Sequence, residues 1–130
     1  DVNKNRLICA NKVSRKEHME RLKLVDLVLD TRIYNGHTTT TDALQTSIPV
    51  ITLKGNHFAS RVSTSLLHNA ELDELCCESM NQYKNMAIEI LTNKKTQDKF
   101  IQKLKLMNEN HKFFNNKLFV RSLEKNLLII

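Results

Sequence analysis

The chain has no tryptophan, one proline, two glycines and three cysteines among its 130 residues, and each scarcity removes a class of protein. Cys9 stands alone and Cys76 adjoins Cys77. Adjacent cysteines rarely pair, and three thiols cannot close a disulfide framework. No pair is spaced Cys-x-x-Cys, so the thiolate set of a structural zinc site is missing. The expected state is buried free thiols in a reducing compartment. Glycines at only 36 and 55 rule out a G-x-G-x-x-G fingerprint, and the P-loop lysine motif is also absent. Nicotinamide and ATP readings therefore lose their sequence support. Asp26, Asp30 and Lys54 interrupt every apolar run long before membrane-helix length, and no basic stretch followed by an apolar block opens the chain. The first residue is Asp1 rather than methionine, so a piece of a longer polypeptide is expected.

What is present is ordinary for a globular domain: 41% apolar and 26% charged residues, in a length that supports a single core. The net charge of +6 is unevenly placed. Residues 1–80 carry ten Lys/Arg against ten Asp/Glu, and residues 81–130 carry ten against four. That second stretch also holds eight asparagines and reads as solvated helix surface, with a phosphate- or lipid-facing patch as the alternative. Its aromatics are limited to Tyr83, Phe100, Phe113, Phe114 and Phe119, which argues against nucleic-acid recognition by base stacking.

The first eighty residues alternate between short apolar runs and helical patterns. Strands are expected at 6–10, 24–30 and 49–53, the last opened by Pro49, where a missing N–H costs least. Helices are expected over 15–23, about 40–46 and 59–69, with a turn at Asn35-Gly36. Such alternation signals a parallel sheet covered by helices, an α/β fold. After Ser79 only the helical period remains. It forms apolar stripes at Tyr83, Ala87, Ile90 and Leu91, then Phe100, Ile101, Leu104 and Met107, then Val120, Leu123 and Leu127. These helices are expected to pack on the sheet.

Gly36 and Gly55 each follow a strand, and each is expected at a tight turn with positive φ. Together they point to a shared crevice at the carboxyl ends of the strands, where open α/β sheets bind ligands. The segment Asn35-Gly36-His37-Thr38-Thr39-Thr40-Thr41-Asp42 leads from a strand into a helix. Free N–H groups at a helix start, hydroxyl donors and the helix dipole together suit an anion. His37 adds a nitrogen donor that would stabilise a departing diphosphate. Asp42 would repel phosphate and fits a sugar hydroxyl better. A threonine run after a turn is ordinarily a capped helix start. His57 sits in the loop after Gly55, and His68 and His111 fall in helical patterns.

The run Leu29-Asp30-Thr31-Arg32-Ile33-Tyr34-Asn35-Gly36-His37-Thr38-Thr39-Thr40-Thr41-Asp42 resembles the catalytic region of the protein O-GlcNAc transferase family. Pro49-Val50-Ile51-Thr52-Leu53-Lys54-Gly55, Phe58-Ala59-Ser60-Arg61-Val62-Ser63-Thr64-Ser65-Leu66-Leu67 and Val13-Ser14-Arg15-Lys16-Glu17-His18-Met19-Glu20-Arg21 are similar to it as well. The resemblance implies a Rossmann-like sheet flanked by helices, the C-terminal lobe of a GT-B glycosyltransferase with a helical C-terminal tail. Residues 1–130 would form one incomplete nucleotide-sugar-binding lobe, α/β over 1–78 with packed helices over 79–130. It also implies inverting transfer of N-acetylglucosamine from UDP-GlcNAc to Ser/Thr hydroxyls of cytoplasmic and nuclear proteins, with no metal and no cofactor. By position, His37, Thr38 and Thr39 would hold the diphosphate and stabilise the leaving group, and Asp42 would take the ribose side. His18 would lie against the uracil, and Ser14, Arg15, Lys16 and Arg21 would complete the nucleotide-binding segment. Either Arg15 or Lys16 could be the nucleotide contact, because the segment is one residue shorter than the family pattern. Acceptor proteins and the general base would belong to an upstream lobe, with tetratricopeptide repeats before it.

The chain also departs from the pattern: Thr40-Thr41 replace Gly-Met, and a tryptophan expected after Leu44 is missing. The threonine run also resembles the protein O-fucosyltransferases, which use GDP-fucose. Asn-Gly-His before it and Ala-Ser-Arg-Val after it favour the GlcNAc family. A third reading is a non-catalytic basic binding module built on the 81–130 helices.

Overall fold

A computed structural model describes residues 3–110 and 114–128; His111 and Phe113 lie outside the described residues. Three parallel strands, β1 (Val28–Leu29), β2 (Val50–Leu53) and β3 (Cys76–Cys77), form a sheet in the order β1-β2-β3. Val28 pairs with Val50 and Leu29 with Ile51, and farther along β2 Thr52 pairs with Cys76 and Leu53 with Cys77. Helices α1 (Arg15–Leu22), α2 (Thr38–Gln45) and α3 (Val62–Asn69) alternate with the strands, and α4 (Met80–Thr92), α5 (Lys94–Glu109) and α6 (Asn116–Leu127) follow. Parallel neighbours need crossover connections, which α2 and α3 supply. The expected α/β architecture, a parallel sheet flanked by helices, is therefore present.

The core forms where these layers meet. Val50 and Ile51 of β2 are fully buried against Ala43 and Leu44 of α2, Leu67 of α3, Ile90 of α4, and Phe100 and Leu104 of α5. Burying each such aliphatic chain stabilises the fold by about 1.5–3 kcal/mol before entropy is counted. Of the stripes read from residues 83–107, Tyr83, Ala87, Ile90, Phe100, Leu104 and Met107 join this core, whereas Leu91 is exposed. The last stripe does not join it: α6 buries none of its residues, and Val120, Leu123 and Leu127 are exposed. Asn108 of α5 caps the other end of α2, its Nδ2 donating to the carbonyls of Leu44 and Gln45 at 3.0 and 3.2 Å. Among the described residues, no helix is long and apolar enough to cross a membrane.

Several expectations need correcting. Residues 7–10 form no strand; Lys4–Arg6 is a 3-10 turn, and Leu7 and Ile8 are exposed. A strand needs a hydrogen-bonded neighbour, and among the described residues β1 pairs only with β2. The apolar run 24–30 contributes just Val28–Leu29, because Leu24 to Asp26 precede the reach of β2 and Leu24 stays in solvent. The 59–69 helix is divided into a 3-10 turn at Phe58–Ser60 and α3. Strand β3 escaped notice because only two residues extend β2's ladder on that side.

The thiols also differ from a uniformly buried set: Cys9 is exposed, Cys76 half-buried and Cys77 buried. Burial, chiefly, and the neighbouring Asp73 push the Cys76 thiol up to about 11, so roughly one in a thousand is thiolate at pH 8. Iodoacetamide on the native chain at that pH should label Cys9 and spare Cys76 and Cys77 until denaturant is added, which mass spectrometry can count. Equal labelling of Cys9 and Cys76 would contradict this burial.

Candidate functional site

The sequence that ends β1 builds a rigid loop on one buried carboxylate. Asp30 is 8% exposed, and its Oδ1 accepts the N–H groups of Thr31 at 2.9 Å and Gly36 at 2.7 Å. Its Oδ2 accepts the Thr52 hydroxyl at 2.6 Å from the neighbouring strand. The Asp30 carbonyl accepts the Tyr83 hydroxyl of α4 at 2.8 Å. Burial, and next the Asp30 charge, push that phenol up to about 12, so it remains a donor throughout the neutral range. Strand, loop and tail helix therefore converge on Asp30.

The chain reverses at Ile33, not at Asn35-Gly36. Ile33 has φ 75°, and neither glycine has positive φ. A β-branched residue in that region is strained, a feature concentrated at functional loops. Asn35, 1% exposed, donates its N–H to the Ala59 carbonyl at 2.7 Å and its Nδ2 to the Thr31 carbonyl at 3.2 Å. Gly36 is required by close approach: a Cβ there would stand 2.5 Å from Thr39 Oγ1 and 2.6 Å from Thr40 Oγ1. The buried hydroxyls of Thr40 and Ser63 lie 2.8 Å apart, and both reach the Gly36 carbonyl, at 3.0 and 2.9 Å. Two hydroxyls and one carbonyl thus lock the loop to α2 and α3.

Helix α2 starts two residues earlier than its sequence pattern implied, at Thr38. His37 is its N-cap residue, and the Thr41 N–H closes back onto the His37 carbonyl at 3.1 Å. The N–H groups ahead of Thr41 lie in the first turn, where a helix has no acceptors of its own. Thr38 and Thr39 are exposed there, with no acidic residue in the turn. His37 is half-buried; its ring stacks on Tyr34 with centroids 5.2 Å apart and meets Phe58 edge-on at 6.2 Å. Its Nε2 is buried without a hydrogen-bond partner.

The start of α1 is brought to α2 by ion pairing. Ser14 caps α1 through Glu17, whose carboxyl is held below the usual range by the Ser14 hydroxyl and N–H. Arg15 Nη2 donates to Asp42 Oδ1 at 2.9 Å, and Nη1 to Oδ2 at 3.4 Å. His18 Nε2 stands 3.8 Å from Asp42 Oδ2, and Arg21 Nη2 lies 3.4 Å from His18 Nδ1. Arg21 Nη1 donates to the Asn11 carbonyl at 3.2 Å. The structure thus joins Arg15, His18, Arg21 and Asp42 in one chain of contacts, one turn along α2 from Thr38 and Thr39. Lys16 is exposed outside it, so Arg15, not Lys16, reaches Asp42. Asp42 is 4% exposed, and its carboxylate anchors α1 to α2 through Arg15.

A separate crevice of about 570 Å³ opens at the carboxyl ends of the strands, lined in part by Arg32, Lys54, Gly55, His57 and Ser60. Gly55 contributes to it, while Gly36 lies under the threonine turn. Sequence reasoning passed over Asp30, Thr40, Thr52, Ser63 and Tyr83 as functional supports. An acid closing an apolar run was the one signal that pointed to any of them.

A family model described as glycosyl transferase family 41 matches residues 1–123. A UDP-N-acetylglucosamine–peptide N-acetylglucosaminyltransferase of Caenorhabditis elegans is 36% identical over 88 residues, 68% of this chain and 8% of that protein. A probable enzyme of the same name from Arabidopsis thaliana is 30% identical over 125 residues, 95% of this chain and 13% of that protein. The solved structure of a Thermobaculum terrenum O-GlcNAc transferase mutant is similar with a TM-score of 0.84 and 28% identity, covering 88% of this chain and 22% of that one. The chain spans only a small part of each of these relatives, and its fold is that of a GT-B-type lobe. On the family match across nearly its whole length, the chain belongs to glycosyl transferase family 41.

Proposed function

We propose that this chain is the donor-binding part of an inverting glycosyltransferase that moves N-acetylglucosamine from UDP-GlcNAc to Ser/Thr hydroxyls of intracellular proteins. The observation that carries the reading is the open first turn of α2 together with the pairing of α1 to the same helix at Asp42. The first turn of α2 offers N–H groups and the Thr38 and Thr39 hydroxyls, and α1 sets Arg15 and His18 against Asp42 one turn farther along, with Arg21 next to His18. A diphosphate suits the α2 turn, where N–H donors and the helix dipole complement negative charge. His37 would stabilise the charge that develops on the leaving diphosphate. The uracil would lie against His18, and the ribose would take the Asp42 side. Ser14, Arg15, Lys16 and Arg21 border the nucleotide. The names of the worm, plant and bacterial relatives support the sugar assignment.

No residue of this chain is assigned to acceptor activation, and acceptor proteins are assigned to a separate lobe. No metal step is invoked. The place of action is proposed as cytoplasm and nucleus.

Calorimetry with UDP on the folded chain tests the site residue by residue. His37→Ala should weaken binding about tenfold or more, and Thr39→Ala about threefold to tenfold, as expected for lost hydrogen bonds to a charged ligand. Unchanged affinity in both variants would remove the α2 turn from the donor site.

A further inference from the structure

We propose that Tyr34 is a positioning residue for His37, holding the imidazole in the plane in which it borders the diphosphate site at the α2 turn. The inference rests on the donor-site reading above and adds a residue to it. Tyr34 leaves 64% of its surface in solvent, and its ring lies nearly parallel to His37, with planes 11° apart and centroids at 5.2 Å. Phe58, 81% exposed, closes on the same imidazole edge-on, with planes at 82°. Two large aromatic rings left mostly in water, yet both turned onto one histidine, serve no core.

The backbone explains how Tyr34 reaches that place. Ile33 takes φ 75°, a conformation that β-branched residues avoid, and the Thr31 hydroxyl donates to the Tyr34 carbonyl at 2.5 Å. Strain at Ile33 and the Thr31 clamp together set Tyr34 over His37. No hydrogen bond fixes the ring at Nε2, which is buried and unpartnered. The ring contacts with Tyr34 and Phe58, not a bond at that nitrogen, set the imidazole plane. An imidazole turns about its last side-chain bond in a broad, shallow well. Stacking narrows that freedom before the ligand arrives, so less is lost on binding.

Nuclear magnetic resonance and calorimetry on the full chain test this. The Tyr34 ring current should displace the His37 Cε1–H and Cδ2–H signals. Tyr34→Phe should keep the displacement and bind UDP within about twofold of the parent. Tyr34→Ala should lose it and bind about threefold to tenfold more weakly, the range aromatic pairs are worth. In a His37→Ala background, Tyr34→Ala should cost nothing further. Parental UDP affinity in Tyr34→Ala would overturn the inference. So would an undiminished loss in the His37→Ala background, because Tyr34 would then act on the ligand directly. A parent chain that shows the ring-current displacement but binds no UDP overturns the donor-site reading, and this inference with it.

Discussion

Asp30→Ala should destabilise the chain by about 2–4 kcal/mol, measured by urea or guanidinium unfolding. The carboxylate accepts three hydrogen bonds, from the Gly36 N–H at 2.7 Å, the Thr31 N–H at 2.9 Å and the Thr52 hydroxyl at 2.6 Å. Hydrogen bonds to a charged acceptor contribute about 1.5–3 kcal/mol each, but the loop can rehydrate in part, which keeps the total below their sum. Asp30→Asn separates charge from geometry. Both N–H donors use Oδ1, which an asparagine oxygen reproduces, and Thr52 can turn its hydroxyl to accept from the new amide. That variant should lose no more than about 1.5 kcal/mol. Equal losses in the two variants would mean that charge, not the hydrogen-bond pattern, holds the loop. A loss under about 1 kcal/mol in Asp30→Ala would contradict the role of Asp30 as the anchor.

Gly36→Ala should cost about 2–3 kcal/mol and abolish ligand binding at the α2 turn, despite adding one methyl group. The glycine has an ordinary φ, so backbone conformation is not the obstacle. The added Cβ would meet Thr39 Oγ1 at 2.5 Å and Thr40 Oγ1 at 2.6 Å. Exposed Thr39 can rotate away. Thr40 is 2% exposed and bound to both Ser63 and the Gly36 carbonyl, so it must break that network or push α2 outward. Overpacking of this kind costs about 1–3 kcal/mol, and an orphaned buried hydroxyl adds to it. A double variant, Gly36→Ala with Thr40→Ala, removes the obstructing hydroxyl and should recover part of the loss. If Gly36→Ala unfolds at the parental denaturant midpoint, the close approach is not what requires glycine.

The α/β alternation was legible because helix and strand periods differ, and because Val50, Ile51 and Leu53 give the central strand the apolar content its burial demands. The ends of the sheet were not. Strands of two residues at Val28–Leu29 and Cys76–Cys77 carry too little pattern, and Leu7 and Ile8 look like a strand only until a neighbour is sought. The threonine run was legible as a helix start. Its supports were not, since the sequence places Thr40 beside Thr39 while the fold buries one and exposes the other. Gly36 could be flagged but not explained, because a spacing constraint imposed by two threonine hydroxyls leaves no mark on backbone propensity. The pairing of Arg15 with Asp42 spans 27 residues and follows from the fold that sets α1 against α2.

Titration of the folded chain with UDP and with GDP, followed by calorimetry, decides whether the α2 turn holds a uridine donor. Saturable UDP binding is expected, lost in Gly36→Ala, with GDP weaker by about tenfold or more, the scale of one well-placed hydrogen-bond contact. Tighter binding of GDP would contradict the uridine donor in favour of a fucosyl donor, and no binding of either nucleotide would contradict the donor site itself.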